Sequence, residues 1–113
     1  MKIEHYSFGS ITIQGKTYTF DVIVFPEGVD PSWVRKEGHF LHIDDLKSVV
    51  HAGPEAIVIG TGYYGRMQVP RDVLAKLGTH GMEVHIAKTP EAVVLFNELS
   101  SRKKTVGCLH LTC

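Results

Sequence analysis

Residues 56–65 read AIVIGTGYYG, an apolar run that passes directly into a glycine-rich stretch. The continuous apolar run at 56–59 is typical of a strand covered on both faces, as in a parallel sheet. Pro70 then opens a helix that Gly78 closes. This stretch therefore predicts a β-α unit of a parallel sheet, with a glycine loop at the carboxyl end of its strand.

The pattern continues toward the C-terminus. Met82–Ala87 is predicted to be a strand, Thr89 to cap a helix with Pro90 at its first position, and Val106–Leu111 to be the final strand. Strands that alternate with helices pair in parallel and are joined by right-handed crossovers. The region 56–111 therefore predicts β-α-β-α-β units.

The first third of the chain has a different pattern of apolar and polar residues. Short strands are predicted at Ile3–Phe8 and Ile11–Ile13, and one longer strand at Thr17–Phe25, where apolar and polar residues alternate. Residues Val29–Gly38 are predicted to be a loop. These strands are expected to be antiparallel, either beside the parallel region or as an extension of its sheet.

A short extended segment is predicted at Phe40–Ile43, followed by a helix that Asp44 caps and Gly53-Pro54 stops. The fold class is therefore α/β. We expect a single compact three-layer domain over residues 1–113, with a mixed sheet in which antiparallel N-terminal strands precede the β-α-β-α-β units.

Composition and charge exclude several classes of protein. The 113 residues carry a formal net charge of zero and two cysteines. Nucleic-acid binding is not expected, because it normally requires a basic stripe. No apolar run is long enough to cross a membrane, and the N-terminus lacks the features of a signal or transit peptide. These observations predict a cytoplasmic protein with free thiols.

The glycine stretch, which matches G-x-G-x-x-G, holds most of the candidate binding residues, namely Gly60, Thr61, Gly62, Tyr63 and Gly65. A dinucleotide site is disfavoured because the next helix begins only at Pro70 and no acid follows the next strand. Two interpretations remain open. The loop either makes a tight turn or exposes backbone N–H groups that bind a small anion.

The second candidate cluster is Trp33, Arg35 and His39. These side chains could line a cleft, or Trp33 could close the edge of the domain while Arg35 pairs with an acid. His39 beside Glu37 or Asp44 would suit acid–base chemistry, but no nucleophile can be named, so no catalytic residue is assigned. No metal site is predicted either, because the sequence lacks paired ligand motifs.

These stretches are similar to the small Mth-type domain family, named after an archaeal protein of unknown function. The residues that carry the resemblance extend over nearly the whole chain and are Phe8-Gly9-Ser10-Ile11, Gly15, Asp21-Val22, Trp33-Val34-Arg35, Gly38-His39, Asp45-Leu46, Ile59-Gly60-Thr61-Gly62 and Leu109-His110-Leu111-Thr112-Cys113. The resemblance implies a three-layer mixed α/β fold and no established reaction. Relatives include an adipogenesis-associated protein and a mitochondrial complex I assembly factor.

The sequence therefore predicts a non-catalytic binding or protein-interaction module without a cofactor. Its partner would be a protein, and the chain itself a monomer or a weak homodimer. The alternative is a small-ligand or anion-binding protein, or an enzyme, with its site at Gly60–Gly65 and Arg35 or His39 binding the anionic group.

Overall fold

The computed structural model describes all residues, Met1–Cys113. Eight strands and three helices follow one another along the chain, and a 3-10 turn at Ile43–Leu46 leads into the first helix. The strands are β1 (Ile3–Ser7), β2 (Ser10–Ile13), β3 (Lys16–Tyr18), β4 (Val22–Phe25), β5 (Gly28–Asp30), β6 (Ala56–Gly60), β7 (Glu83–Ala87) and β8 (Thr105–Leu109), and the helices are α1 (Lys47–Ala52), α2 (Arg71–Thr79) and α3 (Thr89–Ser100).

The strands form two sheets. β1, β2 and β3 make a small antiparallel sheet, and the other five form a mixed sheet in the order β5-β4-β8-β6-β7. Within the mixed sheet, β6 pairs in parallel with both β7 and β8, whereas β4 pairs antiparallel with β8 and β5. The predicted α/β class and the parallel pairing of residues 56–111 are thus confirmed.

Two apolar cores lie on opposite faces of the five-stranded sheet. On one face, Ile57 and Ile59 of β6 belong to a cluster with buried residues of α1 and α2. On the other face, Val58 belongs to a cluster with α3 and the small sheet. Because every residue of β6 is buried, the continuous apolar run at 56–59 does correspond to a strand covered on both sides. The result is the expected three-layer arrangement.

Helix α3 packs close to β8 because a glycine faces it. A Cβ atom added to Gly107 would lie 2.9 Å from the ring of Phe96, closer than such contacts normally come. Phe96 is fully buried and fills the space beneath the helix.

None of the three helices combines the length and apolar character that a membrane span requires.

The prediction of a single strand at Thr17–Phe25 was wrong. The chain leaves the small sheet at Tyr18 and enters the mixed sheet at Val22, so that two strands from different sheets replace one. Phe20, an apolar residue of the alternation that predicted the strand, lies in the link and is 71% exposed. The segment Val22-Ile23-Val24 is buried on both faces instead of one.

Smaller differences concern element boundaries. The residues after Pro26 include strand β5, where a loop was predicted from Val29. Phe40 forms only isolated bridges, with Glu37 and Gln68, and is not part of a strand. Lys88 rather than Thr89 occupies the N-cap position of α3.

Candidate functional site

Asp21 lies at the centre of a polar cluster that joins distant parts of the chain. Its Oδ1 accepts a hydrogen bond from the Leu111 N–H at 2.7 Å, and its Oδ2 lies 2.8 Å from His110 Nδ1. Arg35 Nη1 lies 2.8 Å from the same Oδ2, as an ion pair rather than an aligned hydrogen bond. Only 5% of the Arg35 side chain and 6% of the His110 side chain are exposed, so this is an almost fully buried charge cluster.

Trp33 and Arg35 hold this cluster against the core. The Arg35 guanidinium lies 4.6 Å from the centre of the Trp33 ring, and Arg35 Nη2 donates to the Gly38 carbonyl at 3.0 Å. The Trp33 indole N–H donates to the Asp45 carbonyl at 3.0 Å, and the ring is buried. The prediction that Arg35 pairs with an acid is confirmed, and that acid is Asp21.

Two contacts of His110 Nδ1 compete. An ionised Asp21 only accepts, which favours a proton on Nδ1, whereas the donor Arg35 Nη2 lies farther from the same atom, at 3.2 Å. His110 Nε2 is then left buried without a partner, and so is Arg35 Nε.

The ring of His39 lies edge-on to that of His110, with 5.6 Å between their centres. Acid–base pairing of His39 with Glu37 is not seen, since Glu37 bonds His42 instead.

Competing effects act on the pKa of Asp21. Burial by itself raises it, but the hydrogen bonds from His110 and the Leu111 N–H, the charge of His110 and the polar contact with Arg35 outweigh burial and hold the pKa below its ordinary value of 3.8. The unfolded chain therefore binds this proton more tightly than the folded protein does.

This shift predicts a specific acid sensitivity. The stability that Asp21 contributes is present above pH 3.8 and is lost as pH falls through the lower folded-state pKa. We expect urea unfolding free energies of Asp21→Asn to fall less steeply with acid than those of the natural protein. Asp44 and Glu83, whose pKa values are also lowered, are present in both proteins and cancel in the comparison. If the unfolding free energies of the two proteins fall equally steeply as pH decreases, this expectation is contradicted.

The backbone of the glycine loop, residues 60–65, forms hydrogen bonds with other parts of the protein. The Thr61 N–H donates to Ala87 O, the Gly62 N–H to Thr89 Oγ1 and the Tyr63 N–H to Thr112 O. Gly65 N–H donates back to Gly62 O. In this conformation those donors are not free to form an anion nest. An anion would therefore have to use side chains or open the loop.

The tail, defined as residues 110–113, lies between the loop and the β1–β2 hairpin. From the hairpin side, the Gly9 N–H and the Tyr6 hydroxyl donate to the Leu111 carbonyl, each at 2.8 Å. On the loop side, the Arg66 N–H donates to Cys113 O at 3.0 Å. Gly62 lies against the main chain of Cys113 and the ring of His110. The tail thus connects the buried charge cluster to the surface loop.

Four aromatic side chains meet where the hairpin and the loop approach each other. We call Tyr6, Phe8, Tyr63 and Tyr64 the aromatic cluster. In four of their six pairs, the ring centres lie between 5.1 and 6.4 Å apart. Phe8 is 50% exposed, Tyr63 43% and Tyr64 62%. Tyr6 is half-buried, and burial, followed by the charges of Tyr63 and Asp21, raises its pKa to about 12.

Two cations border the aromatic cluster. Arg66 directly follows the loop, and the Lys88 side chain packs beside Gly65, 3.1 Å from where a Cβ would lie. Both residues are exposed, and neither forms an ion pair with a carboxylate of the chain. This surface therefore carries aromatic side chains and two cations without an ion pair.

The cysteines differ in environment. Burial raises the pKa of the Cys108 thiol, so this residue acts as a small apolar side chain of the core. Cys113 is half-exposed. No three side chains of the His, Cys, Asp and Glu types are placed so that they could hold a metal ion together.

Some of the candidate residues therefore lie at the surface and others in the interior. The loop residue Tyr63 is exposed and Gly65 is half-buried, whereas Trp33 and Arg35 belong to the buried cluster around Asp21, and His39 is exposed beside His110. Asp21 and His110, which connect the two levels, were not among the candidates. They are 89 positions apart, so no local spacing could associate them.

Comparisons with known proteins agree on this fold. A family model described as "Protein of unknown function (DUF498/DUF598)" matches residues 3–110. The conserved hypothetical protein PH1505 from Pyrococcus horikoshii is 27% identical, with a TM-score of 0.84 and full coverage of both chains. MT938 is 25% identical, with a TM-score of 0.80 and coverage of 99% and 98%. A Mth938-like domain from Bordetella pertussis is 17% identical with a TM-score of 0.74, over 97% of this chain and 85% of its own.

Proposed function

The chain belongs to the DUF498/DUF598 family of proteins of unknown function, and from that premise we propose that it is a non-catalytic binding module that recognises a protein partner with its aromatic cluster. The observation that carries the proposal is the grouping of Phe8, Tyr63 and Tyr64 in one exposed surface. Aromatic residues are enriched in protein interfaces, where they supply much of the binding energy.

The backbone beneath the cluster supports the same interpretation. The loop is bonded to α3 through Thr89 and to the tail through Thr112. Side chains presented from a fixed backbone lose less conformational entropy on binding than those of a mobile loop. The aromatic rings are therefore preorganised for a partner of complementary shape.

Charge indicates the chemistry of the partner. Arg66 and Lys88 have no acidic partner in the chain and border the aromatic rings. A partner segment that combines acidic and apolar side chains would satisfy both features. An assembly-type role, in which the module holds another protein during complex formation, fits such a surface, and the cytoplasm is the proposed place of action.

A photo-crosslinking amino acid tests this proposal. Placed at Tyr64 in cells that make the protein naturally, it should yield one main protein adduct. Phe20 is the matched control, because it is an exposed aromatic residue outside the cluster, 71% accessible. The adduct should weaken strongly when Phe8 is also changed to Ala, since Phe8 contacts both loop tyrosines. Equal labelling from both positions, or none from Tyr64, would refute the proposal.

A small anionic ligand is the second candidate function. It is favoured by Arg35 Nε, a buried N–H donor without a partner, because such groups often mark a bound water, ion or ligand. The bonded N–H groups of the loop weigh against it. This candidate becomes the leading one if the crosslinking experiment gives no adduct.

A further inference from the structure

We propose that the groove between α1 and α2 binds a small phosphate monoester that carries an apolar group. The groove lies at the amino ends of β6 and β7, because α1 and α2 each run into the start of the strand that follows. The aromatic cluster lies at the opposite end of these strands. The two sites are therefore independent.

The size and floor of the groove suit a small ligand. Its volume is about 380 Å³, within the range of small-molecule sites. Ile43 and Val50, both half-buried, form an apolar floor. The other lining residues are charged or ionisable, namely Asp44, Lys47, His51, Lys76 and His80.

The basic residues are placed in pairs. Lys47 and His51 are four residues apart on α1, and Lys76 and His80 are four apart at the end of α2, so each pair shares one face. Both faces line the same groove. An anion between the helices would therefore lie between the lysines of the two faces.

The helix dipoles explain only part of this pattern. Cations are favourable in the last turn of a helix, which accounts for His51 and Lys76. Lys47 is the first residue of α1, where a cation is not favoured. The one acid of the groove, Asp44, is already bonded to Lys36 at 2.8 Å. Lys47 and Lys76 form no ion pair of their own, although the charge of Lys47 helps to lower the pKa of Asp44.

Amide chemical shifts of the isotope-labelled protein provide the test, with phenyl phosphate, inorganic phosphate and phenol as probes. We expect phenyl phosphate to shift amides of α1 and α2 and to bind about tenfold more tightly than either other probe, because only it engages both the cations and the apolar floor.

Two variants with the same change of charge sharpen the test. Lys76→Gln should weaken phenyl phosphate binding about tenfold. Lys16→Gln removes an exposed lysine of β3, in the small sheet, and should leave the affinity unchanged. The proposal is overturned if inorganic phosphate binds as tightly as phenyl phosphate, if Lys16→Gln weakens binding as much as Lys76→Gln, or if no α1 or α2 amide moves at about 10 mM probe.

Discussion

Replacing Gly62 with Ala should lower the free energy of unfolding by about 4 kcal/mol. Gly62 has a φ of +107°, where an L side chain is strained, which costs about 2 kcal/mol. The added Cβ would also meet the main chain of Cys113 and would lie 2.8 Å from the His110 ring. Relieving that overlap costs about 2 kcal/mol more. Thermal unfolding followed by circular dichroism should show a melting temperature lower by roughly 15 °C.

Two other glycines separate these contributions. Gly15 also has a positive φ, +79°, but nothing lies within 4 Å of an added Cβ. Gly15→Ala should therefore show only the backbone cost of about 1–2 kcal/mol. Gly78→Ala, inside α2 and equally free of neighbours, should raise stability by about 0.5–1 kcal/mol. If Gly62→Ala is no worse than Gly15→Ala, the tail does not pack against the loop as described.

Replacing Asp21 with Asn should destabilise the protein by about 3 kcal/mol, because it leaves Arg35 as a buried cation without a counter-charge. The amide that replaces the carboxylate has only one acceptor oxygen. Two donors, His110 Nδ1 and the Leu111 N–H, each bond one oxygen of the carboxylate. Urea unfolding at neutral pH measures the loss. Asp44→Asn is the control, because its ion pair with Lys36 is half-exposed, and it should have little effect.

A double variant identifies the cause of that loss. Arg35→Met removes the charge that Asp21→Asn would leave uncompensated. The double variant should therefore be more stable than the sum of the two single effects predicts, by more than about 1 kcal/mol. Additive effects, or equal losses for Asp21→Asn and Asp44→Asn, would show that the charge cluster contributes no more than a surface ion pair.

The sequence predicts best the elements that local pattern determines. The apolar run at 56–59 and the proline at position 70 identify β6 and the start of α2, because burial on both faces and a fixed φ are properties of the residues themselves. The alternation at Thr17–Phe25 is equally regular and yet misleading. The chain turns there because Asp21 bonds Arg35, His110 and Leu111, and those partners are far away along the chain.

The candidate site was predictable to a similar extent. The glycine stretch stands out because positive φ values and close packing restrict its residue types, as at Gly62. The aromatic cluster does not stand out, since Tyr6 and Phe8 join Tyr63 and Tyr64 only through the packing of the hairpin on the tail. Exposure of aromatic side chains is a property of the assembled surface and not of any local sequence pattern.

The order of the five-stranded sheet has a consequence for biosynthesis. β8 lies between β4 and β6, yet it follows both of them along the chain, and Val22 pairs with Leu109. A nascent chain that has just produced β6 therefore has the two strands that flank β8, β4 and β6, without the strand that joins them. Its apolar residues stay open to aggregation until β8 leaves the ribosome. Such late, long-range pairing makes folding slow.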